Sequence, residues 1–532
     1  MTRRRRISDS KTAWTRVVLG MGLAGACTVV DKGDYTFTDN PEDSGGEGGT
    51  GGKGGAAGSS SGAAGKGGGA SGDAGDGSGA VGGTGGTGGT GGSSGEAGGG
   101  SGGEGGLCDP NPCQHGGVCT SDGVKADCDC ADGYEGLMCE DEIDECVPNP
   151  CAHGERCTDL VADFKCDCMP IDAGKRCELP RFQPIGPPSG QGAVVARAVS
   201  ADGRVVVGHL TDGMGFAKPF IWTVEAATRG PMPLPIPISL RPDLNVYATA
   251  VSGDGTRWAG YYQGTSAMDF PRPLGGTLTM SAELATPSGG RGGNPFDIDA
   301  TGGKVVGVFF DSTNTFSHAG QWTSPASPVT PLPNPLGMNL AAAAGAVTRD
   351  GAIVTGTAKD NAGGVLVVSW VDDPDVTAPP TRRFSMMGVT NADVHGLSSD
   401  GMLAVGTILD TANANFAFAT ENGNAINVAP MNGAVFAHSN AWDTSDDGNV
   451  TVGDVLLPMS GTTVAQACIW TRNQGITSYK GTVVDALRST NVILPNGWQL
   501  TAAYGVSADG KTLVGSAVDP QGIPAGYVAR LP

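Results

Sequence analysis

Ala198-Val199-Ser200-Ala201-Asp202-Gly203, with Gly208 five residues on, is the stretch on which the fold turns. Its counterparts run Ala250 to Gly255 with Gly260, Asp297 to Gly302 with Gly307, and Ala346 to Gly351 with Gly356. Three more follow: Gly396 to Gly401 with Gly406, Asp443 to Gly448 with Gly453, and Gly505 to Gly510 with Gly515. The seven copies stand 47 to 52 residues apart, except for a last interval of 62. A period of that length marks a propeller or a solenoid. Within six of the seven copies an Asp-Gly pair, and in the third Thr301-Gly302, sits between Val, Ile and Leu, and such a pair accepts the positive φ of a tight hairpin, so each copy reads as strand, turn, strand. A further strand follows, carrying Trp222, Trp322, Trp370 and Trp470 in four copies, with Thr420 and Ala529 in place of tryptophan in two others. Proline-rich segments such as Met232-Pro233-Leu234-Pro235 come next, and proline belongs on an edge strand. Four short strands in each of seven units predict a mainly β chain with a seven-bladed β-propeller over residues 181–532. The last unit has no proline-rich strand after Gly526-Tyr527-Val528-Ala529, whereas Arg181 to Ile185 precede the first unit without a blade of their own. That segment is expected to supply the missing strand and close the ring, leaving no open sheet edge.

The Ser-x-Asp-Gly turn with a later tryptophan resembles the bacterial extracellular HAF repeat, a likeness that spans residues 181–532.

Outward from the repeats, toward the N-terminus, cysteine becomes abundant. Cys108, Cys113, Cys119, Cys128, Cys130 and Cys139 are separated by four, five, eight, one and eight residues. Cys146, Cys151, Cys157, Cys166, Cys168 and Cys177 repeat those gaps without change, so the two sets are copies of one small module. About 35 residues bury too little apolar surface to fold unaided, and a disulfide framework supplies the constraint, which places the chain in an oxidising compartment. The paired Cys-x-x-Cys or Cys/His spacing of a zinc cluster is missing, and six cysteines alone leave fifteen possible pairings. The stretch Asn111-Pro112-Cys113-Gln114-His115-Gly116-Gly117 and the close from Cys128 through Gly133-Tyr134-Glu135-Gly136 to Cys139 resemble the EGF-like module. That resemblance implies Cys108 with Cys119, Cys113 with Cys128 and Cys130 with Cys139 in residues 107–140. In residues 142–178 it implies Cys146 with Cys157, Cys151 with Cys166, and Cys168 with Cys177. There Ile171 and Asp172 stand where the first module has Gly133 and Tyr134.

Ahead of the modules, residues 45–106 are nearly all Gly, Ser, Ala and Thr, a composition that cannot offset the entropy of ordering and predicts a flexible tether. Arg3 to Arg6 followed by the short apolar run from Val17 to Ala26 suits a secretory signal over residues 1–26. The run closes Leu23-Ala24-Gly25-Ala26-Cys27, which resembles a bacterial lipobox; the likeness implies lipidation of Cys27, a lipidated tail over 27–44, and an outer-membrane or cell-surface location.

The chain carries a formal charge of −21. Residues 107–178 hold seventeen Asp and Glu against five Lys and Arg, an excess that argues against nucleic acid and suits a cation. In the second module Glu142-Ile143-Asp144-Glu145 precede Cys146, Asp159 follows Cys157 by two, and Phe164 precedes Cys166 by two. This resembles the calcium-binding EGF pattern. The resemblance implies calcium held by the side chains of Glu142, Glu145 and Asp159 and the carbonyls of Ile143, Leu160 and Asp163, with Phe164 packing beside them. The first module has Gly105, Gly106 and Leu107 in place of the acidic run and is not expected to bind.

No His-Glu-x-x-His occurs, and the repeated Ser and Asp side chains of the turns read as turn formers that bond to backbone. Arg197, Thr249, Phe296, Gly345, His395, Trp442 and Tyr504 occupy one column of the repeat and differ from one another. A propeller that reads a ligand would do so with such a column, although variation within a strand accounts for it more simply. Cys468 reads as a buried small hydrophobe. The expected function is a calcium-dependent binding or adhesion protein, lipid-anchored, with a protein or polysaccharide partner at the cell surface and no enzymatic activity. The alternative is a carbohydrate-active propeller hydrolase or lyase with the modules as spacers.

Overall fold

The computed structural model describes residues 106–532 apart from 265–269, 289, 313–316, 326, 335–340, 361, 372–380, 387–388, 411, 413, 422–423, 428–437, 460–461 and 474–475. The expected signal segment, Cys27 and the Gly-rich stretch up to residue 105, expected to be a tether, lie outside the described residues. The rest falls into two compact units that meet between Glu142 and Ile143.

In the first unit, strands Val118–Ser121 and Ala126–Asp129 form a hairpin, and Tyr134–Glu135 pairs with Asp141–Glu142. Disulfides join Cys108 to Cys119, Cys113 to Cys128 and Cys130 to Cys139. Gly133 takes φ 86° at the turn, and Tyr134 stacks on His115 with ring centroids 4.0 Å apart.

The second module repeats this plan. Cys157–Leu160 pairs with Asp163–Cys166, and Asp172–Ala173 pairs with Leu179–Pro180. Its bridges are Cys146–Cys157, Cys151–Cys166 and Cys168–Cys177. With Asp172 in the place of Tyr134, the stack on the matching histidine becomes a polar contact, His153 Nδ1 to Asp172 Oδ2 at 3.6 Å, and the final turn still forms.

Seven four-stranded antiparallel sheets follow among the described residues. The first strand of each is the innermost: each packs on the next around the ring, and Gln499–Val506 packs back on Val194–Val199. The seventh sheet is completed by Phe182–Ile185, paired with Pro524–Arg530 from Ala529↔Phe182 to Gly526↔Ile185, as the sequence had led us to expect. The second module is anchored at this seam. Arg530 N–H donates to the Arg181 carbonyl (2.7 Å), Arg530 Nη1 donates to the Pro180 carbonyl (2.7 Å), and Arg181 N–H donates to the Ile171 carbonyl (2.9 Å).

In six of the seven turns the Ser or Thr hydroxyl does two jobs. Ser200 Oγ donates to Asp202 Oδ1 (2.6 Å) and accepts from Val205 N–H (2.9 Å), while Asp202 Oδ1 also accepts from Arg204 N–H (3.0 Å). Ser252, Thr348, Ser398, Ser445 and Ser507 repeat the arrangement with the Asp two residues on. In the third turn Asp299 replaces the hydroxyl and accepts from Thr301 and Gly303 N–H. The turn glycines hold φ between 67° and 76°, a region costly for residues with a Cβ.

Between blades, Trp322 Nε1 donates to the Ala285 carbonyl (2.9 Å) and Trp370 Nε1 to the Pro333 carbonyl (2.7 Å), each reaching the outer segment of the preceding blade. These side chains fill the interblade cores while their polar edge finds a partner. The long last interval holds a helix, Val483–Ser489, opened by a capping box between Thr482 and Asp485. Val483 and Leu487 bury against Leu500 and Tyr527. Tertiary packing holds a helix this short, since seven residues are not helical on their own.

Candidate functional site

Of the residues implied as calcium ligands, Ile143, Glu145, Asp159, Leu160 and Asp163 belong to the unit that begins at Ile143. Asp159 Oδ1 accepts the Glu145 N–H at 2.9 Å, so the hairpin carboxylate and the segment before Cys146 are held together. Asp144, which the pattern did not single out, joins them: its carboxylate and that of Asp159 lie within 4.8 Å. Asp144 Oδ1 also accepts the Cys146 N–H (2.9 Å). The Cys146 sulfur lies in the same cluster but is committed to its disulfide. Leu160 and Asp163 face each other as the last pair of the hairpin. The Asp163 carboxylate is engaged by the Lys175 ammonium, which with the Phe164 N–H holds it below the usual carboxylate range, leaving its carbonyl for the expected role. Phe164 packs under Lys175, whose nitrogen lies 4.6 Å from the ring centroid. Glu142 lies in the other unit, exposed and paired with Tyr134. A hard cation wants six to eight oxygens, and carboxylates with a free hairpin edge are of the right chemistry.

On the propeller, each residue of the variable column lies on a β-bulge of its innermost strand. The register breaks between Ala196 and Ala198, Ala248 and Ala250, Pro295 and Asp297, and Ala344 and Ala346. It breaks again between Val394 and Gly396, Ala441 and Asp443, and Ala503 and Gly505. A bulge re-aims the extra side chain, and here four successive blades aim theirs at one another. His395 stacks on Trp442 (4.5 Å, 22°), Trp442 meets Tyr504 (5.7 Å), and the Arg197 guanidinium lies 4.4 Å from the Tyr504 ring centroid. His395 Nδ1 bonds the Ala441 carbonyl (2.8 Å), and Trp442 Nε1 donates to Asp454 (2.5 Å). Arg197, His395 and Trp442 are buried. The column therefore packs the axis. At the position after the bulge, Asp297 accepts the Val347 N–H and Asp443 the Val506 N–H, each at 3.0 Å and each clamping the next blade. His209 lies edge-on to Tyr247 at 4.9 Å; burial first, and the Arg197 charge second, depress its pKa to about 3.

The turn end of the axis is laced at six of the seven blade junctions. Ala201 N–H donates to the Gly253 carbonyl, Asp254 N–H to Ala300, Ala300 N–H to Arg349, Ser399 N–H to Asp446, Asp446 N–H to Ala508, and Ala508 N–H back to Ala201, all between 2.8 and 3.0 Å. Across this ring Arg349 Nε donates to Asp446 Oδ2 at 2.5 Å. The cavity inside, about 80 Å³, is lined by Arg197, Arg349, Asp297, Asp443, Asp446 and Tyr504. Liquid water takes about 30 Å³ per molecule, so this space suits a few waters and not a sugar ring.

A disulfide-stapled module pair leading into a closed seven-bladed propeller defines the class of protein. Residues 108–137 match the family model of the EGF-like domain. No curated protein matches the chain. Among solved structures the chain is similar to a prolyl endopeptidase from a study of two such enzymes: 11% identity, 64% of this chain and 50% of that one, TM-score 0.41. It is also similar to the β-propeller domain of the Trilobed protease from Pyrococcus furiosus, at 10% identity over 64% and 93% of the two chains, TM-score 0.39. A third is the putative TolB from Agrobacterium tumefaciens, at 12% identity over 62% and 99%, TM-score 0.34. The match spans only half of the prolyl endopeptidase.

Proposed function

We propose that this chain is an extracytoplasmic interaction protein, lipid-anchored through Cys27 at a bacterial cell surface. Its second module binds calcium, and its HAF-like propeller is a rigid, non-catalytic platform. The observation that carries the reading is the Asp159 carboxylate held on the Glu145 N–H with the Asp144 carboxylate beside it. Glu145 and Asp159 would hold the ion by their side chains, with the carbonyls of Ile143, Leu160 and Asp163; Asp144 adds a further carboxylate. The ion would supply a positive centre that ties the hairpin to the segment ahead of Cys146. Support for a non-catalytic propeller comes from its axis: the bulge side chains stack on one another and the remaining space is about 80 Å³.

Calorimetric titration of the full chain with calcium tests this. Binding is expected with Kd of roughly 10⁻⁴ to 10⁻³ M. Asp159→Asn, which keeps an acceptor for the Glu145 N–H but removes the charge, should weaken it about tenfold or more. Absence of binding at millimolar calcium, or equal binding by the variant, refutes the assignment.

A further inference from the structure

We infer that a groove over the second blade binds an acidic oligosaccharide, a chain of pyranose rings bearing carboxylates. The inference gives a ligand class to the interaction protein proposed above and draws nothing from the calcium site. The groove lies between the segment entering the blade, around Leu240 and Arg241, and the one leaving it, at Gly290 and Arg291. Its volume is about 600 Å³, and Tyr262, Phe270 and Arg272 complete its wall. That size falls within the range of roughly 300–1,000 Å³ typical of ligand pockets.

Three arginines converge here in a chain whose net charge is −21, so the groove runs against the charge of the protein around it. Arg241 has Asp243 at 3.6 Å, whereas Arg272 and Arg291 are exposed and meet no carboxylate among the described residues. A guanidinium presents a planar fork that matches a carboxylate in bidentate fashion, and two such forks on one groove select a ligand with repeated anionic groups.

The rings between them are fixed in advance. Tyr262 is the register partner of Arg272 and donates its hydroxyl to Glu283 at 2.6 Å. Phe270 packs on Phe310 with centroids 5.3 Å apart, and the Arg291 guanidinium lies 5.9 Å from the Phe270 centroid. Arg291 N–H is itself held by the Phe310 carbonyl at 3.0 Å. Half-exposed aromatic faces offer apolar area to the C–H faces of a sugar ring, while the flanking arginines take its carboxylates. A phosphopeptide would satisfy the cations and leave the two rings uncovered, which is why the saccharide is favoured.

The test is calorimetry of the full chain in EDTA, with hyaluronan hexasaccharide as the acidic probe, chitohexaose as the neutral one and a phosphoserine peptide as the competing class. Saturable binding of the hyaluronan hexasaccharide is expected, without binding of chitohexaose. Arg272→Gln or Arg291→Gln should each weaken it about tenfold, the worth of one charge-assisted contact. Arg272→Lys, which keeps the charge and loses the fork, should fall between. Both arginines are exposed, so an unchanged melting temperature is expected for each variant, and Arg272→Lys carries the comparison if Arg272→Gln proves less stable. Failure of the hyaluronan hexasaccharide to bind, wild-type binding by both Gln variants, equal binding of chitohexaose, or binding of the phosphopeptide alone overturns the inference. Because calcium is absent throughout, such a failure leaves the calcium reading standing, and a failure of the calcium titration leaves this one standing.

Discussion

Replacing Ser398 by alanine isolates the role of the repeated turn hydroxyl. Ser398 is 1% exposed; its Oγ accepts the N–H of Leu403, itself fully buried, at 2.9 Å and donates to Asp400 at 2.5 Å. Alanine leaves the Leu403 N–H without a partner where water cannot reach it, which costs about 1–3 kcal/mol. With an unfolding entropy near 2.1 cal/mol/K per residue over roughly 350 residues, about 2 kcal/mol lowers Tm by about 3 °C. The neighbouring Ser399 is the internal control. Its exposed hydroxyl donates to the Asp446 carbonyl at 3.0 Å, and an exposed site of that kind should cost no more than about 0.5 kcal/mol, under 1 °C. Differential scanning calorimetry of the two variants side by side decides the matter. If Ser398→Ala melts no lower than Ser399→Ala, the hydroxyl does not carry the turn, and the reading of these Ser and Asp residues as turn formers fails.

Three further outcomes follow from the same geometry. The unfolded chain takes up a proton on His209 from about pH 6.5 downward while the folded chain does not until about pH 3, so stability should fall with acidity by about 1.4 kcal/mol per pH unit in that window. Urea midpoints between pH 6.5 and 4.5 should show a correspondingly flatter slope in His209→Gln, and an unchanged slope would show that His209 takes no part. In Gly356→Ala the new Cβ would stand 1.9 Å from the Ala343 carbonyl oxygen, so the two strands must separate at a cost of about 3 kcal/mol; a variant with wild-type Tm would contradict the close approach. Trp370→Phe keeps the ring in the core but removes the bond to the Pro333 carbonyl, and should lose about 1–2 kcal/mol by urea denaturation, more than a substitution at exposed Met402.

The parts of the fold written in short-range spacing were legible in the sequence. Identical cysteine gaps defined the two modules, and the recurring turn glycine, preceded in six copies by a hydroxyl and an Asp, defined seven hairpins because a turn is settled within six residues. Ring closure was legible as well, since a strand missing at Ala529 and a spare one at Phe182 can only be matched to each other. What the sequence concealed depends on side chains brought together from distant blades. The column from Arg197 to Tyr504 read most simply as variation within a strand; that its bulges turn His395, Trp442, Tyr504 and Arg197 onto one another could not be seen from any one copy. Arg349 and Asp446 are each the variable residue of a turn, 97 positions apart, and nothing local marks them as partners. Asp144 was overlooked because the resemblance assigned ligands to its neighbours, although its place two residues before Cys146 was a usable signal. The arginines at 241, 272 and 291 come from three separate segments, and only the folded blade gathers them.

Hydrogen exchange of the full chain, followed by mass spectrometry with and without millimolar calcium, tests most directly the claim of a calcium-braced module on a closed, rigid propeller. The account predicts that peptides covering 143–166 exchange markedly more slowly when calcium is present. Peptides covering 182–185 and 525–530 should be protected to the same degree in both conditions. Equal exchange of 143–166 with and without calcium, or rapid exchange of 182–185 while the innermost strands stay protected, would contradict it.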